Sequence, residues 1–480
     1  MTFDLSFDAV IPVICLAMAG LAVMLAESFR LKNESMPLGG LAVIGLVGAG
    51  AASVFLWDRN ATSFGMVLAD NFALFSMLVL VLVGLLTVFF TSQTASRDGL
   101  PAGEFYALML FAMVGMVLMV QAVDLLLMFL ALETMSMAVY VMTGIRRDSL
   151  PGTEGAFKYF LLGSFASGFF LYGVAFLYGI TGSTSLDRIG SVIAAQSMSG
   201  NPMILLAVGM LIIGFGFKIA AVPFHMWSPD AYEGAPAVVT GFMSTGVKAA
   251  GVVAFARVFL TALEPMINEW APVLWAVAAA TMIVGTVVGV AQTSLKRMLA
   301  YSSIAHGGYL LIGIIAGSDV GKAAILFYLA VYALTNLGAF GIIALLGSRE
   351  RPNDDLRDYA GLWYTHPGLA TLMTIFLLSL GGFPPTAGFI AKWYIFSAGV
   401  GAGYYGLAII GVLTSVISVF FYLRIVVMIY MSERDARPLP APVTTAAMVA
   451  LGLTVIGIFY LGILPSGVID LAQASVATIF

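Results

Sequence analysis

Lysines buried deep in apolar stretches are the residues of this sequence most able to do chemistry. Lys218, Lys248 and Lys392 each lie well inside such a stretch, and Glu133 is the one carboxylate near the middle of another. A lysine at the centre of a membrane costs about 2.5–3.5 kcal/mol on insertion scales, so it normally faces a polar interior and has a partner. Amines and carboxylates can both hold and release a proton, and these residues therefore indicate proton transfer.

A structural role is the alternative. One buried ion pair would only hold two helices in register, whereas three central lysines with one central glutamate favour a pathway for charge. Three other basic residues, Lys158, Arg257 and Arg424, lie closer to the ends of their stretches. Long basic side chains in such places can extend to the membrane surface, so these three are open to either interpretation.

Two of the central lysines lie next to helix breakers. Lys218 precedes Pro223 in GFGFKIAAVPFHMWSPDAYEGAP, and Lys392 follows Pro385 in SLGGFPPTAGFIAKW. Proline removes a backbone donor and glycine weakens a helix, so both helices are predicted to be interrupted inside the membrane. Matching interruptions in two halves of a chain indicate an ion pathway in transporters built from repeats, although a simple proline kink is the alternative.

The composition predicts the elements that carry these side chains. Of the 480 residues, 61% are hydrophobic and 10% are charged, where an average soluble domain has about 25% charged residues. A soluble globule is therefore excluded, and the net charge of −4 gives no basic surface for nucleic acid. The single cysteine, Cys15, cannot form an internal disulfide or a cysteine-based metal site. The sequence is that of an integral membrane protein.

Continuous apolar runs of about 20 residues predict the membrane-spanning helices. These runs do not alternate with a period of two, which excludes the strands of a barrel. The expected fold class is an all-α polytopic membrane protein with about fourteen transmembrane helices. The predicted helices are 9–28, 37–57, 70–92, 103–121, 124–143, 155–181, 203–228, 235–260, 271–291, 295–317, 321–347, 367–397, 403–431 and 441–464.

Basic residues in the loops predict the orientation. If the chain starts outside, the loops that should be cytoplasmic carry twelve lysines and arginines and the opposite loops carry three. This bias predicts both termini on the periplasmic side and supports an even number of helices. The twelve are Arg30, Lys32, Arg97, Arg146, Arg147, Lys296, Arg297, Arg349, Arg351, Arg357, Arg434 and Arg437, and the three are Arg59, Arg188 and Lys322.

A loose internal repeat relates two parts of the chain. Lys218 and Lys392 are 174 residues apart, and Glu133 and His306 are 173 apart. This offset relates predicted helices 4–8 to helices 9–13, and because five is an odd number the two units would be inverted. The predicted division is residues 1–102 for helices 1–3, 103–270 for the first five-helix unit, 271–440 for the second, and 441–480 for helix 14 and the C-terminus.

Six segments of the chain resemble one family. They are GTEGAFKYFLLGSFASGFFLYG (152–173), GFGFKIAAVPFHMWSPDAYEGAP (214–236), QTSLKRMLAYSSIAHGGY (292–309), YALTNLGAF (332–340), LRDYAGLW (356–363) and GGFPPTAGFIAKWYIF (381–396). The sequence is similar to the antiporter-like membrane subunits of respiratory NADH:quinone oxidoreductase (complex I), a family shared with Mrp-type cation/proton antiporters. The KYFLLGSFASGFFLYG run and the lysine at position 392 are most similar to its N-type members.

The resemblance implies a role for each central residue. Glu133 matches a glutamate of the fifth helix, which pairs with the lysine of the broken seventh helix, here Lys218. Lys248 matches a bridging lysine of the eighth helix, and Lys392 matches the lysine of the broken twelfth. His306 matches a histidine of the tenth helix. The hypothesis is that Glu133 gates Lys218, Lys248 relays a proton laterally with water and His306, and Lys392 exchanges it with the outside.

The resemblance also implies the setting. The function would be proton translocation by a membrane subunit of a redox enzyme in the bacterial inner membrane. This subunit would carry no redox centre, metal or cofactor, while NADH, FMN, iron–sulfur clusters and quinone would be bound elsewhere in the complex. The partners would be membrane subunits H, A, J, K, L and M. Lys158, which fits the KYF motif of the family, is a further candidate for the pathway.

Three functions remain open at this point. The motifs favour the redox-driven proton translocator, an Mrp-type antiporter would use the same charged residues with other partners, and a membrane scaffold would use them only to fix helix register. His225 and Asp230 flank a proline-rich turn on the predicted cytoplasmic side. They either help to admit protons or belong to a structural loop.

Overall fold

The computed structural model describes residues 6–30, 37–196, 200–348, 354–433 and 442–479. Within these ranges the chain is almost entirely helical, apart from one antiparallel hairpin of strands β1 (Ala61–Ser63) and β2 (Val67–Ala69). The α-helices are α1 (Ile11–Phe29), α2 (Leu38–Phe55), α3 (Asn71–Asp98), α4 (Ala102–Gln121), α5 (Leu125–Thr143), α6 (Leu150–Thr181), α7 (Leu186–Ala195), α8 (Pro202–Lys218), α9 (Trp227–Gly234), α10 (Ala237–Phe242), α11 (Lys248–Leu260), α12 (Ile267–Val290), α13 (Leu295–Ala316), α14 (Asp319–Leu346), α15 (Leu362–Thr365), α16 (Pro367–Gly381), α17 (Ala387–Gly401), α18 (Tyr405–Met431), α19 (Thr445–Ile463) and α20 (Ser466–Val476). Short 3-10 helices occupy Asp8–Val10, Glu264–Met266 and Leu356–Tyr359.

The helices have the lengths and apolar surfaces of a polytopic membrane protein. In the described part of the chain, twelve helical segments are long and apolar enough to cross a membrane. Two shorter apolar helices, α8 and α16, lie where the seventh and twelfth helices are predicted. The all-α polytopic class is therefore confirmed. The exact number of fourteen helices, the inverted five-helix units and the boundaries at residues 102, 270 and 440 stay predictions.

Both predicted helix interruptions are confirmed. Helix α8 ends at Lys218, and the backbone turns through Ala220, at a φ of 58°, before α9 begins. Helix α16 ends at Gly381, and Gly382 follows with a φ of 84° before α17 begins at Ala387. Each break contains a proline, which cannot continue the hydrogen-bond ladder of a helix. The carbonyl groups at the ends of α8 and α16 are consequently available to side chains.

A third irregularity lies directly before Lys248. Residues Met243–Val247 form a π-helix between α10 and α11, and all five are buried. A π-helical turn contains an extra residue, and such turns occur frequently at functional sites. Apolar residues dominate segment 237–260 and it contains no proline, so the sequence predicts an uninterrupted helix here.

The centre of the molecule consists of α10, α11, α13 and α14. Residues 238–260 and 323–346 are all buried within the protein, whereas helices such as α1 and α18 expose large apolar side chains on their outer faces. Helix α13 approaches α12 closely at Gly308, where a β-carbon would lie 3.0 Å from the Ala278 carbonyl oxygen. Small residues at such crossings let membrane helices pack backbone to backbone.

Part of the predicted orientation signal cannot be compared with the structure. Lys32, Arg349, Arg351, Arg434 and Arg437 lie outside the described residues. The placement of both termini on the periplasmic side therefore stays a prediction.

Candidate functional site

Four of the predicted pathway residues are buried inside the protein. The exposed fractions of Lys218, Lys248, His306 and Lys392 are only 2–5%. Glu133 is partly buried on α5. Together these residues follow one another from α5, through α8, α11 and α13, to α17. We call this arrangement the lysine row.

Lys218 is held by side chains of α5. Its ammonium donates hydrogen bonds to Ser136 Oγ at 2.6 Å and to the Tyr140 hydroxyl at 3.4 Å. The ring centroids of Tyr140, Tyr159 and Phe217 lie 5.3–5.7 Å from the same nitrogen. Because aromatic faces attract cations, hydroxyl and ring contacts both stabilise the charged form of this buried lysine.

Glu133 does not form the ion pair with Lys218 that the family resemblance implies. Its carboxylate instead accepts a hydrogen bond from Ser167 Oγ of α6. Among the described residues, no carboxylate oxygen lies within 4.0 Å of Lys218 Nζ. Glu133 and Ser136 are three residues apart on α5 and share a helical face, so the carboxylate is one helical turn from the hydroxyl that binds the lysine.

Glycines bring Lys218 and Lys248 close to one another. A β-carbon on Gly251 of α11 would lie 3.4 Å from Lys218 Cβ. A β-carbon on Gly307 of α13 would lie 3.0 Å from the Ile219 carbonyl oxygen and 3.9 Å from Lys248 Nζ. The absence of side chains at these two positions leaves α8, α11 and α13 in contact at the point where the row passes from one lysine to the next.

Lys248 is bound by a single turn of α13. Its ammonium donates hydrogen bonds to both the carbonyl oxygen and the hydroxyl of Ser303. The Tyr332 ring of α14 lies 5.6 Å from this nitrogen, centroid to Nζ, and the Tyr232 hydroxyl lies 3.4 Å from Ser303 Oγ. Ser303 is thus a junction between the row and α9.

His306 continues the row one turn further along α13. Its Nδ1 atom is hydrogen-bonded to the Tyr328 hydroxyl at 2.7 Å. The rings of Tyr309 and Tyr332 lie 5.5 and 5.2 Å from the imidazole, centroid to centroid. The imidazole is therefore surrounded by phenols of α13 and α14, each of which can donate or accept a hydrogen bond.

Lys392 lies at the second interruption. Its ammonium donates hydrogen bonds to the carbonyl oxygen of Gly381 at 3.0 Å and to Ser415 Oγ at 2.8 Å. The ring centroid of Tyr309 is 5.5 Å away, which connects this lysine to His306 through one aromatic side chain. The Gly381 carbonyl is available because α16 ends there and leaves its last carbonyl groups without helical partners.

Lys158 lies apart from the row. It pairs with Glu154 at 2.6 Å and with Asp230 of α9 at 2.7 Å, and Asp230 also accepts a hydrogen bond from Arg297 at 2.7 Å. Arg297 binds Glu233 as well, at 2.9 Å. We call these five residues the ionic cluster. The Lys158 side chain is 43% exposed, so the cluster lies at the surface.

The ionic cluster influences the acidity of Asp230. Partial burial alone would raise the pKa of this carboxyl, but hydrogen bonds from Lys158 and Arg297 favour its charged form and bring the pKa below the usual value. Asp230 therefore stays ionised near neutral pH and holds α9 between α6 and α13.

Sequence reasoning did not identify Asp70, which is the partner of the buried Arg257. Arg257 of α11 does not extend to the membrane surface, because its guanidinium forms a bidentate pair with Asp70 at 2.7 and 2.9 Å and both side chains are at most 1% exposed. Its Nε also donates to the Val120 carbonyl at 3.2 Å, at the end of α4. The pair fixes the helix that carries Lys248. Asp70 directly precedes a long apolar run, and this position was the available signal.

No group of three or more histidine, cysteine, aspartate or glutamate side chains in the described ranges could hold a metal ion. The row itself offers amines, hydroxyls, phenols, an imidazole and the carboxylate of Glu133. All of these groups exchange protons. The Tyr332 ring lies between Lys248 and His306, and the Tyr309 ring lies between His306 and Lys392.

Comparisons with known proteins show which sequences and folds this chain resembles. Residues 122–418 match the family described as NADH:quinone oxidoreductase/Mrp antiporter, transmembrane. NADH-quinone oxidoreductase subunit N from Trichlorobacter lovleyi is 44% identical over 476 residues, which cover 99% of this chain and 98% of that protein. A chain of respiratory complex I from Thermus thermophilus, solved with bound aureothin, has a TM-score of 0.82 and 33% identity and covers 96% of this chain and 99% of its own length. A chain of the Mrp complex from a Dietzia species has a TM-score of 0.83 at 22% identity, with 99% and 98% of the two chains covered, and shares the fold.

Proposed function

Because this chain belongs to the NADH:quinone oxidoreductase/Mrp antiporter family of membrane proteins, we propose that it is the proton-translocating N-type membrane subunit of an NADH:quinone oxidoreductase. The observation that carries the proposal is the lysine row, in which Lys218, Lys248, His306 and Lys392 follow one another through the buried centre. The identity of 44% over nearly the full length with a subunit N supports the choice of complex.

Proton transfer starts at Lys218. In the arrangement described here its charge is stabilised by Ser136, Tyr140 and three aromatic rings. A rotation of Glu133 away from Ser167 would bring a carboxylate to the lysine and strengthen its hold on the proton. Return of Glu133 to Ser167 weakens that hold. Glu133 therefore acts as the gate. When Ser167 binds Glu133, the carboxylate is away from Lys218 and the lysine can release its proton.

Lys248 and His306 carry the proton across the centre. A proton leaving Lys218 passes through the contact beside Gly251 and Gly307 to a neutral Lys248. From Lys248 it moves to His306, whose imidazole takes a proton on one nitrogen and releases one from the other. Lys392 receives it beyond Tyr309 and releases it on the opposite side of the membrane.

The wider setting follows from the same proposal. The oxidoreduction takes place in other subunits, where NADH, FMN, iron–sulfur clusters and quinone are bound, and membrane subunits H, A, J, K, L and M are the partners. The protein lies in the bacterial inner membrane with both termini periplasmic. Residues 103–270 and 271–440 are two inverted units, each with one interrupted helix and one lysine at its break. Lys158 serves the pathway by holding α9 rather than by carrying protons.

The test uses isolated membranes that contain the assembled complex with Lys218→Met. The NADH oxidation rate should fall while the succinate oxidation rate stays unchanged. The reason is that the enzyme that oxidises NADH contains this subunit and the enzyme that oxidises succinate does not. Lys322→Met is the matched control, since Lys322 pairs with Asp319 outside the row and its loss should leave both rates unchanged. An unchanged NADH rate in an assembled Lys218→Met complex would contradict the proposal. Sodium-dependent growth of a deletion strain with a normal NADH rate would instead identify an Mrp-type antiporter.

A further inference from the structure

A second line of polar side chains reaches Lys248 from the surface that carries the ionic cluster. It begins at His225, which is half-buried in the turn before α9, and continues through Ser228 and Tyr232 of α9. It ends at Ser303 of α13, whose hydroxyl and carbonyl both bind Lys248. The lysine row does not use the first three of these residues.

Helix α9 separates its polar residues into two faces. Asp230 and Glu233 bind the basic members of the ionic cluster at the surface. Ser228 and Tyr232 are at most 1% exposed and lie four residues apart, which places them one above the other on the inner face. This eight-residue helix thus has a charged outer face at the protein surface and a hydroxyl-bearing inner face directed at the row.

The inner groups are close together but incompletely hydrogen-bonded. The Tyr232 hydroxyl lies 3.4 Å from Ser303 Oγ, and the Ser228 hydroxyl neighbours that of Tyr232. Within the described part of the chain, Ser228 Oγ and His225 Nδ1 are buried without a hydrogen-bond partner. Buried polar atoms of this kind are usually satisfied by ordered water. Two such atoms in sequence therefore mark the places where water would join the hydroxyls into one chain.

We propose that His225, Ser228, Tyr232 and Ser303 form an uptake branch that delivers protons to Lys248 independently of Lys218. This inference rests on the function proposed above and adds a second entrance to it. The branch would draw protons from water beside the ionic cluster, and its terminal acceptor is the amine of Lys248.

Protons balance at each step of this branch. A hydronium ion from outside protonates one nitrogen of His225 and becomes water, and the other nitrogen releases its own proton inward. Each hydroxyl accepts a proton on its oxygen while it releases its own to the next group, so Ser228, Tyr232 and Ser303 keep no charge. The last proton bonds to the neutral amine of Lys248, which becomes an ammonium. The structure has Lys248 donating to Ser303, which is the arrangement after delivery.

The ionic cluster gives the branch its location without taking part in the transfer. Asp230 is held in the ionised form by Lys158 and Arg297, so it is a poor carrier of protons near neutral pH. Its two ion pairs instead fix α9 against α6 and α13. They thereby fix the distance between Tyr232 and Ser303.

The test compares Tyr232→Phe with Tyr106→Phe in the assembled complex reconstituted into vesicles. Tyr232→Phe removes only the hydroxyl of the branch, and Tyr106 is also a buried tyrosine but lies on α4, away from the row. Proton pumping would be measured by quenching of a pH-sensitive dye during NADH oxidation, from pH 6 to pH 9, in H₂O and D₂O. Groups that transfer protons typically contribute about 10²–10⁴-fold to a rate, and water can replace part of that. We expect pumping by Tyr232→Phe to fall about tenfold at the alkaline end.

Three outcomes are informative. The branch is supported if Tyr232→Phe loses more pumping at alkaline than at acid pH and shows an altered D₂O effect, while Tyr106→Phe pumps normally. A purely structural defect would instead lower the pumping rate equally at every pH. Full pumping by both Tyr232→Phe and Ser228→Ala, with pumping lost in Lys248→Met, would overturn the branch and leave the proposed function intact. Full pumping by Lys248→Met as well would overturn the proposed function itself.

Discussion

Replacement of Ser136 by alanine tests how the lysine row holds its first proton. Ser136 Oγ is the nearest acceptor of Lys218, at 2.6 Å, and the Tyr140 hydroxyl at 3.4 Å is too distant to compensate fully. A hydrogen bond to a charged group is worth about 1.5–3 kcal/mol. Because 1.36 kcal/mol corresponds to one pH unit, protonated Lys218 should be lost about one to two pH units lower in Ser136→Ala.

The neighbouring serine provides a control of opposite sign. Ser167→Ala removes the hydroxyl that binds Glu133 and leaves Ser136 in place. The carboxylate then has no partner on α6 and is free to approach Lys218, which should strengthen proton binding. Both substitutions delete one hydroxyl and create little empty space, so they have a similar effect on packing.

The assay is the rate of proton pumping by vesicles containing the assembled complex, measured with a pH-sensitive dye between pH 6 and pH 10. The alkaline limit of pumping should move down in Ser136→Ala and up in Ser167→Ala. Movement of both limits in the same direction, or of neither, would refute the reasoning that Ser136 stabilises the protonated form of Lys218 and that Ser167 keeps Glu133 away from it.

Three further predictions concern stability and positioning. Arg257→Ala should destabilise the protein by about 3–5 kcal/mol, because it leaves Asp70 buried without its partner, and thermal unfolding in detergent measures this loss. Gly462→Val should reduce pumping without preventing assembly, since a β-carbon there would lie 2.1 Å from the Pro385 carbonyl oxygen in the second interruption; normal pumping would contradict it. The pKa of Asp230 is below its usual value, so the stability it contributes is complete above about pH 4 and is lost as the pH falls through the lower value in the folded protein. The stability difference between Asp230→Asn and the unchanged protein should therefore shrink with acid, and a constant difference in melting temperature would contradict this assignment.

The positions of the central lysines could be predicted because a buried charge is conspicuous in an apolar sequence. Proline and glycine also act locally, so the breaks after Lys218 and before Lys392 follow from Pro223 and Pro385 without knowledge of neighbouring helices. The membrane class follows from hydropathy alone. These parts of the fold depend on residues close together in sequence.

The partners of those lysines could not be predicted. Ser136, Ser303 and Ser415 are ordinary polar residues of apolar helices, and their roles depend on which helix faces which. The same is true of Glu133, which binds Ser167 although the family resemblance implies Lys218. Several hydroxyls of similar strength compete for each buried charge, so the outcome depends on distances of a few ångströms between helices.

Two basic residues could not be assigned from the sequence, for the same reason. Arg257 and Lys158 both lie within spans in positions open to snorkelling or a central role. The structure places Lys158 at the surface in the ionic cluster and Arg257 in a buried pair with Asp70. The position of a residue within a helix can be predicted from the sequence. The partner of Arg257, which lies 187 residues away in the chain, cannot.

The most direct test of the lysine row is the number of protons pumped per NADH oxidised in vesicles containing the assembled complex with Lys218→Met. Lys322→Met, the lysine substitution outside the row, serves as the reference for assembly and for the loss of one positive charge. Lys218→Met should abolish proton transfer through this subunit. The number of protons pumped per NADH should therefore be lower than in Lys322→Met, whatever rate of NADH oxidation remains. An unchanged ratio in a fully assembled Lys218→Met complex would contradict it.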